Sequence, residues 1–329
     1  DSWSGQTVLV TGGEGFIGSH LVEQLAAEGA RVRVLAYYNA FGHWGWLDAV
    51  KESGADVELI PGDVRDADRV QQAVQGCDTV FHLAALIGIP YSYDAPESYV
   101  QTNVQGTYNV ANACRRAGVG RMVHTSTSEV YGTALRVPID EDHPLQPQSP
   151  YSASKIGGDM MALSFFHAFE LPVAVVRPFN TYGPRQSTRA VIPTILAQLL
   201  GGATAIHLGA TSPTRDFNYV TDTAAGFMAV ARSDQALGQV VNLGTGREIS
   251  VGDLAELLIE ITGTSARVVT DENRLRPAGS EVERLLADNT RAREWAGWEP
   301  AVTLEEGLRL TAEWVRANLD RLDTRGYTV

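Results

Sequence analysis

The sequence predicts an α/β protein: a Rossmann-like, doubly wound parallel sheet with a smaller, interwoven C-terminal lobe. Three observations carry this. Apolar strand-like runs alternate with helical stretches through the first half. A glycine-rich turn follows the first strand. The strand–helix rhythm then loosens after Arg177.

Each element has a local reason. Thr7–Val10 is a short apolar run ending in the glycine turn. Ile17–Glu28 has helical spacing, with Leu21, Val22 and Leu25 on one face, and Gly29 stops it. Further strands are expected at Val32–Leu35, Val57–Ile60, Thr79–Leu83, Arg121–Thr125 and Val173–Val176. Helices separate them at Asp66–Gln75, Pro96–Ala117 and Tyr151–Phe169. Beyond Pro178 the reading gives helices near Ile192–Leu200 and Asp222–Ala231 and a strand at Val240–Leu243. Three more helices follow near Val251–Thr262, Asn289–Ala296 and Thr303–Leu319. We expect residues 1–178, with about 217–246, to form the dinucleotide-binding domain. Residues of about 179–216 and 247–329 form the substrate lobe.

Composition narrows the partners. The chain has 329 residues, 44% of them hydrophobic, enough for a sizeable core. A net charge of -13 argues against a nucleic-acid partner, which needs a basic face. Cys77 and Cys114 form no CxxC pair, so no metal site is expected. No apolar run approaches the roughly 18 residues of a membrane span. With no signal peptide visible, a cytoplasmic location is the expectation.

Gly12, Gly15 and Gly18 form GxxGxxG between strand and helix. A side chain there would keep a pyrophosphate from the helix N-terminus, where free N–H groups and the dipole favour anions. With Phe16 and Ile17, they form the expected phosphate cradle of a dinucleotide; a tight structural turn is the plain alternative. The second strand ends in Tyr37-Tyr38-Asn39, without the usual ribose-binding carboxylate. Asn39 is the candidate to replace it, and NAD is preferred over NADP because no arginine follows directly. Asp63 and Val64 are placed by the adenine, and Leu83, Ala84 and Ala85 where small residues let the cofactor lie close. His43, Trp44 and Trp46 either line the cofactor or form an aromatic anchor.

Tyr151 and Lys155 are four apart on a helix that Ser149 and Pro150 begin, so both side chains share a face. A tyrosine with a pKa of about 10 needs nearby positive charge to act as a base at neutral pH. The Lys155 ammonium and a nicotinamide ring are expected to supply it. Thr127 places a hydroxyl at the carboxyl end of the fifth strand, the ligand-binding edge of such sheets.

These segments together resemble the extended short-chain dehydrogenase/reductases that act on nucleotide-sugars. The match runs through Thr11-Gly12-Gly13-Glu14-Gly15-Phe16-Ile17-Gly18, His82-Leu83-Ala84-Ala85, Asn103 with Gly106-Thr107, and Tyr151-Ser-Ala-Ser-Lys155. It continues in Arg177-Pro178-Phe179-Asn180 with Tyr182-Gly183-Pro184-Arg185, then Arg215-Asp216-Phe217, Arg276-Pro277 and Gly297-Trp298-Glu299-Pro300. The resemblance implies Thr127 as partner of the sugar's 4-hydroxyl, Tyr151 as its base and Lys155 as the tuner. It also implies Asn103 and Pro178 at the cofactor, and Asn180, Arg215 and Arg276 at the diphosphate or nucleotide. Arginine suits phosphate through paired, charge-assisted hydrogen bonds. Relatives dimerise through a four-helix bundle, so a homodimer through Pro96–Ala117 and Tyr151–Phe169 is expected.

The reaction is read from Ser126-Thr127-Ser128-Glu129-Val130-Tyr131-Gly132. In the resembled family, 4,6-dehydratases carry Thr-Asp-Glu or Thr-Ser-Glu here, and simple 4-epimerases usually lack the glutamate. A C4 ketone acidifies C5, and a carboxylate can then take that proton as water leaves C6. Ser128 is too weak an acid to protonate the leaving water, so Glu129 is expected to carry the proton from C5 to the C6 hydroxyl. Asn39-Ala-Phe-Gly-His43-Trp44-Gly-Trp46-Leu47, Ile89-Pro90-Tyr91-Ser92-Tyr93 and Thr125–Ala134 look like the N-acetylglucosamine-nucleotide 4,6-dehydratases of legionaminic-acid-type pathways. That implies UDP- or GDP-N-acetylglucosamine as substrate. Ile87 and Tyr91 are candidates for the sugar pocket, and Val191 resembles a base-contacting position. A 4-epimerase is the enzymatic alternative, and a non-catalytic NAD-binding regulator the alternative of another class.

Overall fold

A computed structural model of the chain describes residues 3–52, 54–275 and 277–322. The alternating runs form strands β1 (Thr7–Thr11), β2 (Arg31–Tyr37), β3 (Val57–Gly62), β4 (Thr79–His82), β5 (Arg121–Thr125) and β6 (Val173–Pro178). With Val240–Leu243 they make one seven-stranded sheet in the order Val240–Leu243, β6, β5, β4, β1, β2, β3, parallel throughout. The order reverses beside β1, the point at which such sheets open a ligand crevice at their carboxyl edge.

Both faces of the sheet are covered. The alternation of side chains along β1 sends Val8 and Val10 into one core and Leu9 into the other. The first core is closed by α1 (Phe16–Ala27) and by Phe227 and Met228 on a helix over Val220–Arg232. The second is closed by the helices over Ala67–Val74, Gly106–Ala117 (α2) and Pro150–Phe169 (α3). A third core joins Ile195, Leu196, Leu254, Leu258, Leu308 and Val315. Its backbone is tied by short pairings, among them Asn180–Tyr182 with Phe217–Tyr219 and Ala205–Leu208 with Arg267–Thr270. Ala292 and Trp298 pack instead into the first core, so the C-terminal third contributes to both the first and the third cores.

The helices begin and end where their capping residues dictate. Asp66, Ser149, Ser250 and Thr303 each accept a hydrogen bond from a first-turn N–H. Gly118, Gly263 and Gly297 close helices in the left-handed conformation. Pro96–Ala117 departs from the expected single α-helix. It runs as Pro96–Tyr99, a π-helical stretch over Val100–Gln105, then α2. The wider turn rotates Asn103 inward, where it is buried.

Candidate active site

The glycine turn is built for close approach. Gly12 has φ of +71°, and a Cβ there would stand 2.8 Å from the Ala84 backbone nitrogen; one on Gly18 would stand 2.2 Å from the Gly12 carbonyl oxygen. Gly15 caps α1 without a side-chain hydrogen bond, and a Cβ on it would meet only the Gly12 oxygen, at 3.3 Å. That Cβ would therefore point into the open cradle. The first N–H groups of α1 are presented with no capping side chain, the arrangement that suits a diphosphate. Phe16 and Ile17 start the helix, with Phe16 edge-on to His20 and Ile17 against the first core.

Around the turn, Thr11 Oγ1 accepts from the Ala84 N–H at 3.1 Å and meets His82 Nδ1 at 2.8 Å. This fixes Leu83, Ala84 and Ala85 beside the glycines. Val64 is buried against Gly106, and Asp63 is paired with Arg65 at 2.5 Å. Pro178 ends β6, fully enclosed. Asn39 differs from its expected use. Its amide donates to the His43 carbonyl and its Oδ1 accepts from the Phe41 N–H, so both ends close its own loop. That loop borders a cavity of about 280 Å³ lined by Tyr38, Asn39, His43, Trp44 and Pro61. Trp46 instead packs edge-on against Trp314 of the second lobe, 5.4 Å between ring centres. Asn103 is likewise committed: it holds the Leu86 backbone at both N–H and C=O and donates to Ser154 Oγ.

At the end of β5, Thr127 caps a short 3₁₀ turn over Ser128–Tyr131, its Oγ1 accepting from the Glu129 N–H at 3.2 Å. Thr127, Ser128, Tyr151 and Lys155 are all buried. Burial pushes the Tyr151 phenol up, the neighbouring Thr127 hydroxyl pulls it back, and the Glu129 charge adds to the rise. The Lys155 ammonium donates to the Thr125 carbonyl at 2.5 Å, and burial lowers its pKa to about 8.

Behind Lys155 stands a buried network with no counterpart in the sequence reading. Asp159, one turn further along α3, accepts from Arg177 Nη2 at 2.9 Å and from Ser126 Oγ at 2.7 Å. His124 Nε2 lies 3.2 Å from its other oxygen. Arg177 also donates to the Tyr131 hydroxyl, which donates to Asn242. Burial raises the Asp159 pKa, but the neighbouring His124 ring and the Arg177 charge outweigh it and hold Asp159 ionised. The available signal was Asp159 at four residues from Lys155, on the same helical face.

The candidate substrate residues are less uniformly gathered. Tyr99 links Tyr91 to Tyr151, with ring centres 6.1 and 6.3 Å apart. Ile87 is 69% exposed on the same rim. Asn180 presents a buried Oδ1 with no protein partner among the described residues. Arg215 is buried, donating to the Thr214 carbonyl and paired with Glu281 at 3.4 Å. Val191 begins a helix and packs at the edge of the second-lobe core. Arg276 lies outside the described residues. Arg185 is anchored to α1 through Glu23 and Ser19.

A family model described as GDP-mannose 4,6 dehydratase matches residues 9–311. The chain belongs to the nucleotide-sugar dehydratases and epimerases of the extended short-chain dehydrogenase/reductase family. It is 37% identical over 314 residues to a UDP-glucose 4-epimerase of Mycolicibacterium smegmatis, covering 94% of this chain and 98% of the relative. It is 34% identical to a dTDP-glucose 4,6-dehydratase of Actinoplanes over the same shares. A solved dTDP-glucose 4,6-dehydratase of Streptomyces venezuelae, with NAD bound, superposes with a TM-score of 0.87 at 32% identity, covering 96% of this chain and 99% of that one. The dehydratase/epimerase family thus contains both chemistries expected from the sequence. Among the described residues no helix is long and apolar enough to cross a membrane.

Proposed function

We propose that the protein is an NAD-dependent nucleotide-sugar 4,6-dehydratase acting on UDP- or GDP-N-acetylglucosamine. The observation that carries the reading is Glu129, held two residues beyond Thr127 in the short turn that Thr127 caps, its N–H donating to Thr127 Oγ1. An epimerase needs the hydroxyl base; elimination needs a carboxylate as well. When bound, NAD supplies a hydride acceptor and donor. The glycine cradle and uncapped α1 terminus would hold its diphosphate.

In this reading Thr127 orients the sugar's 4-hydroxyl and Tyr151 takes its proton. Glu129 then removes the C5 proton, acidified by the C4 carbonyl, and delivers it to the departing C6 hydroxyl; the hydride taken from C4 would return to C6 and a proton to C5, giving the 4-keto-6-deoxy product. Ser128 lines the turn without donating a proton, and Lys155, held on the Thr125 carbonyl, tunes the charge around Tyr151. Asn180 and Arg215 would face the diphosphate, with Ile87 and Tyr91 at the sugar. The division into a cofactor domain and a substrate lobe belongs to the same proposal. So does a homodimer through α2 and α3, which expose Tyr108, Met160 and Phe169.

The test is product mass after incubation with UDP-, GDP- and dTDP-sugars. Loss of one water without accumulating NADH supports dehydration and names the nucleotide. A new product of unchanged mass establishes the second reading, a 4-epimerase, which the similarity to the M. smegmatis enzyme favours.

A further inference from the structure

Most dinucleotide-binding halves end their second strand in an acidic residue that grips the adenosine ribose. Here β2 ends in Tyr37, followed by Tyr38 and Asn39, and the Asn39 amide is used within its own loop. A carboxylate nevertheless reaches this edge, from a different segment. Glu14 stands inside the glycine-rich turn, and its Oε1 accepts a hydrogen bond from the Tyr37 N–H at 2.7 Å. The Glu14 carbonyl accepts from the Trp46 N–H, and Gly45 packs so closely on it that a Cβ would come within 2.8 Å. Both sides of the residue are therefore fixed.

The second carboxylate oxygen, Oε2, is buried and has no hydrogen-bond donor among the described residues. A charged oxygen held out of water without a donor is costly, so such an atom marks a place where a donor is due. Desolvation raises the Glu14 pKa, consistent with that debt.

We propose that Glu14 replaces the missing β2-terminal acid, its carboxylate accepting from the adenosine ribose hydroxyls of NAD and repelling a 2′-phosphate. The glycine turn then performs two tasks, cradling the diphosphate with backbone N–H groups and reading the ribose with a side chain. This inference rests on the NAD reading above and adds the residue that selects NAD over NADP.

The experiment titrates cofactor-free protein with NAD and with NADP, following tryptophan fluorescence. Wild type is expected to bind NAD at least about tenfold more tightly, the scale of one charge-assisted hydrogen bond. Glu14→Gln keeps an oxygen for the Tyr37 N–H but loses the charge. It should weaken NAD about tenfold and shrink the NAD/NADP ratio toward one. An unchanged ratio in Glu14→Gln overturns the proposal and leaves Glu14 as a staple between turn and strand. Should the variant unfold, wild type decides alone: equal affinity for ADP-ribose and its 2′-phosphate overturns the proposal, and strong preference for ADP-ribose upholds it. Wild type binding neither NAD nor NADP overturns the cofactor reading itself, a distinct failure.

Discussion

Replacing Lys155 by methionine should make the protein more stable while removing its activity. Lys155 is buried, and its pKa falls from 10.5 to about 8. At about 1.4 kcal/mol per pH decade, that drop costs the folded state roughly 3 kcal/mol while the lysine is charged. The attraction of Asp159 is already included. Methionine fills the space without charge but leaves the Thr125 carbonyl without its donor, a loss of about 1 kcal/mol. The net gain is about 2 kcal/mol, or about 3 °C in Tm for a chain of this size. The sign has a pH signature. A cation depressed in the folded state is penalised fully below its folded pKa, and the penalty disappears as pH rises from about 8 to 10.5. Lys155→Met should therefore gain most at pH 7 and lose its advantage by pH 10.5. Urea unfolding of cofactor-free protein at both values checks this. A variant less stable than wild type at pH 7, or a gain that persists unchanged at pH 10.5, would refute the argument.

Asp159→Ala strands Arg177 without its carboxylate and should cost about 3–5 kcal/mol, read as a fall in the urea midpoint. The Lys155 pKa should drop further in that variant, because Asp159 raises it. Tyr151→Phe removes the proposed base and should lower kcat by about 10²–10⁴-fold with unfolding little changed, measured by turnover and by denaturation. Met160→Glu places charge on the exposed α3 face and should dissociate the proposed homodimer in sedimentation.

What the sequence disclosed and what it withheld divide by distance along the chain. The glycine turn, the Ser149 cap and the Tyr151–Lys155 pair are local, and backbone geometry alone fixes their relation. The Asp159 network draws on residues 124, 126, 131, 177 and 242, which only the sheet order brings together. The loop bonds of Asn39 escaped the sequence for a related reason. Its position after β2 fits ribose binding, but a short polar side chain in a turn finds nearby backbone first. The Leu47–Glu52 and Ile89–Asp94 helices are too short to show a period. The π turn in Val100–Gln105 leaves composition unchanged and shifts only the phase that buries Asn103.

The two candidate reactions differ in whether a carbon exchanges its proton with solvent, and Glu129 decides it. Epimerisation at C4 moves one hydride away and back, so every carbon-bound hydrogen is retained. Elimination through Glu129 sends the C5 proton out with the C6 oxygen as water, and C5 must later be reprotonated from a carboxyl that has exchanged with solvent. Turnover in D₂O should therefore yield a product carrying one deuterium at C5. Glu129 comes from a turn rather than the cofactor cradle, so Glu129→Gln should bind NAD as wild type does yet place no deuterium at C5. Product made in D₂O without deuterium would remove Glu129 from the chemistry and leave Thr127, Tyr151 and Lys155 as the machinery of an epimerase. Deuterium at C5 from the Glu129→Gln enzyme would assign the elimination to another base.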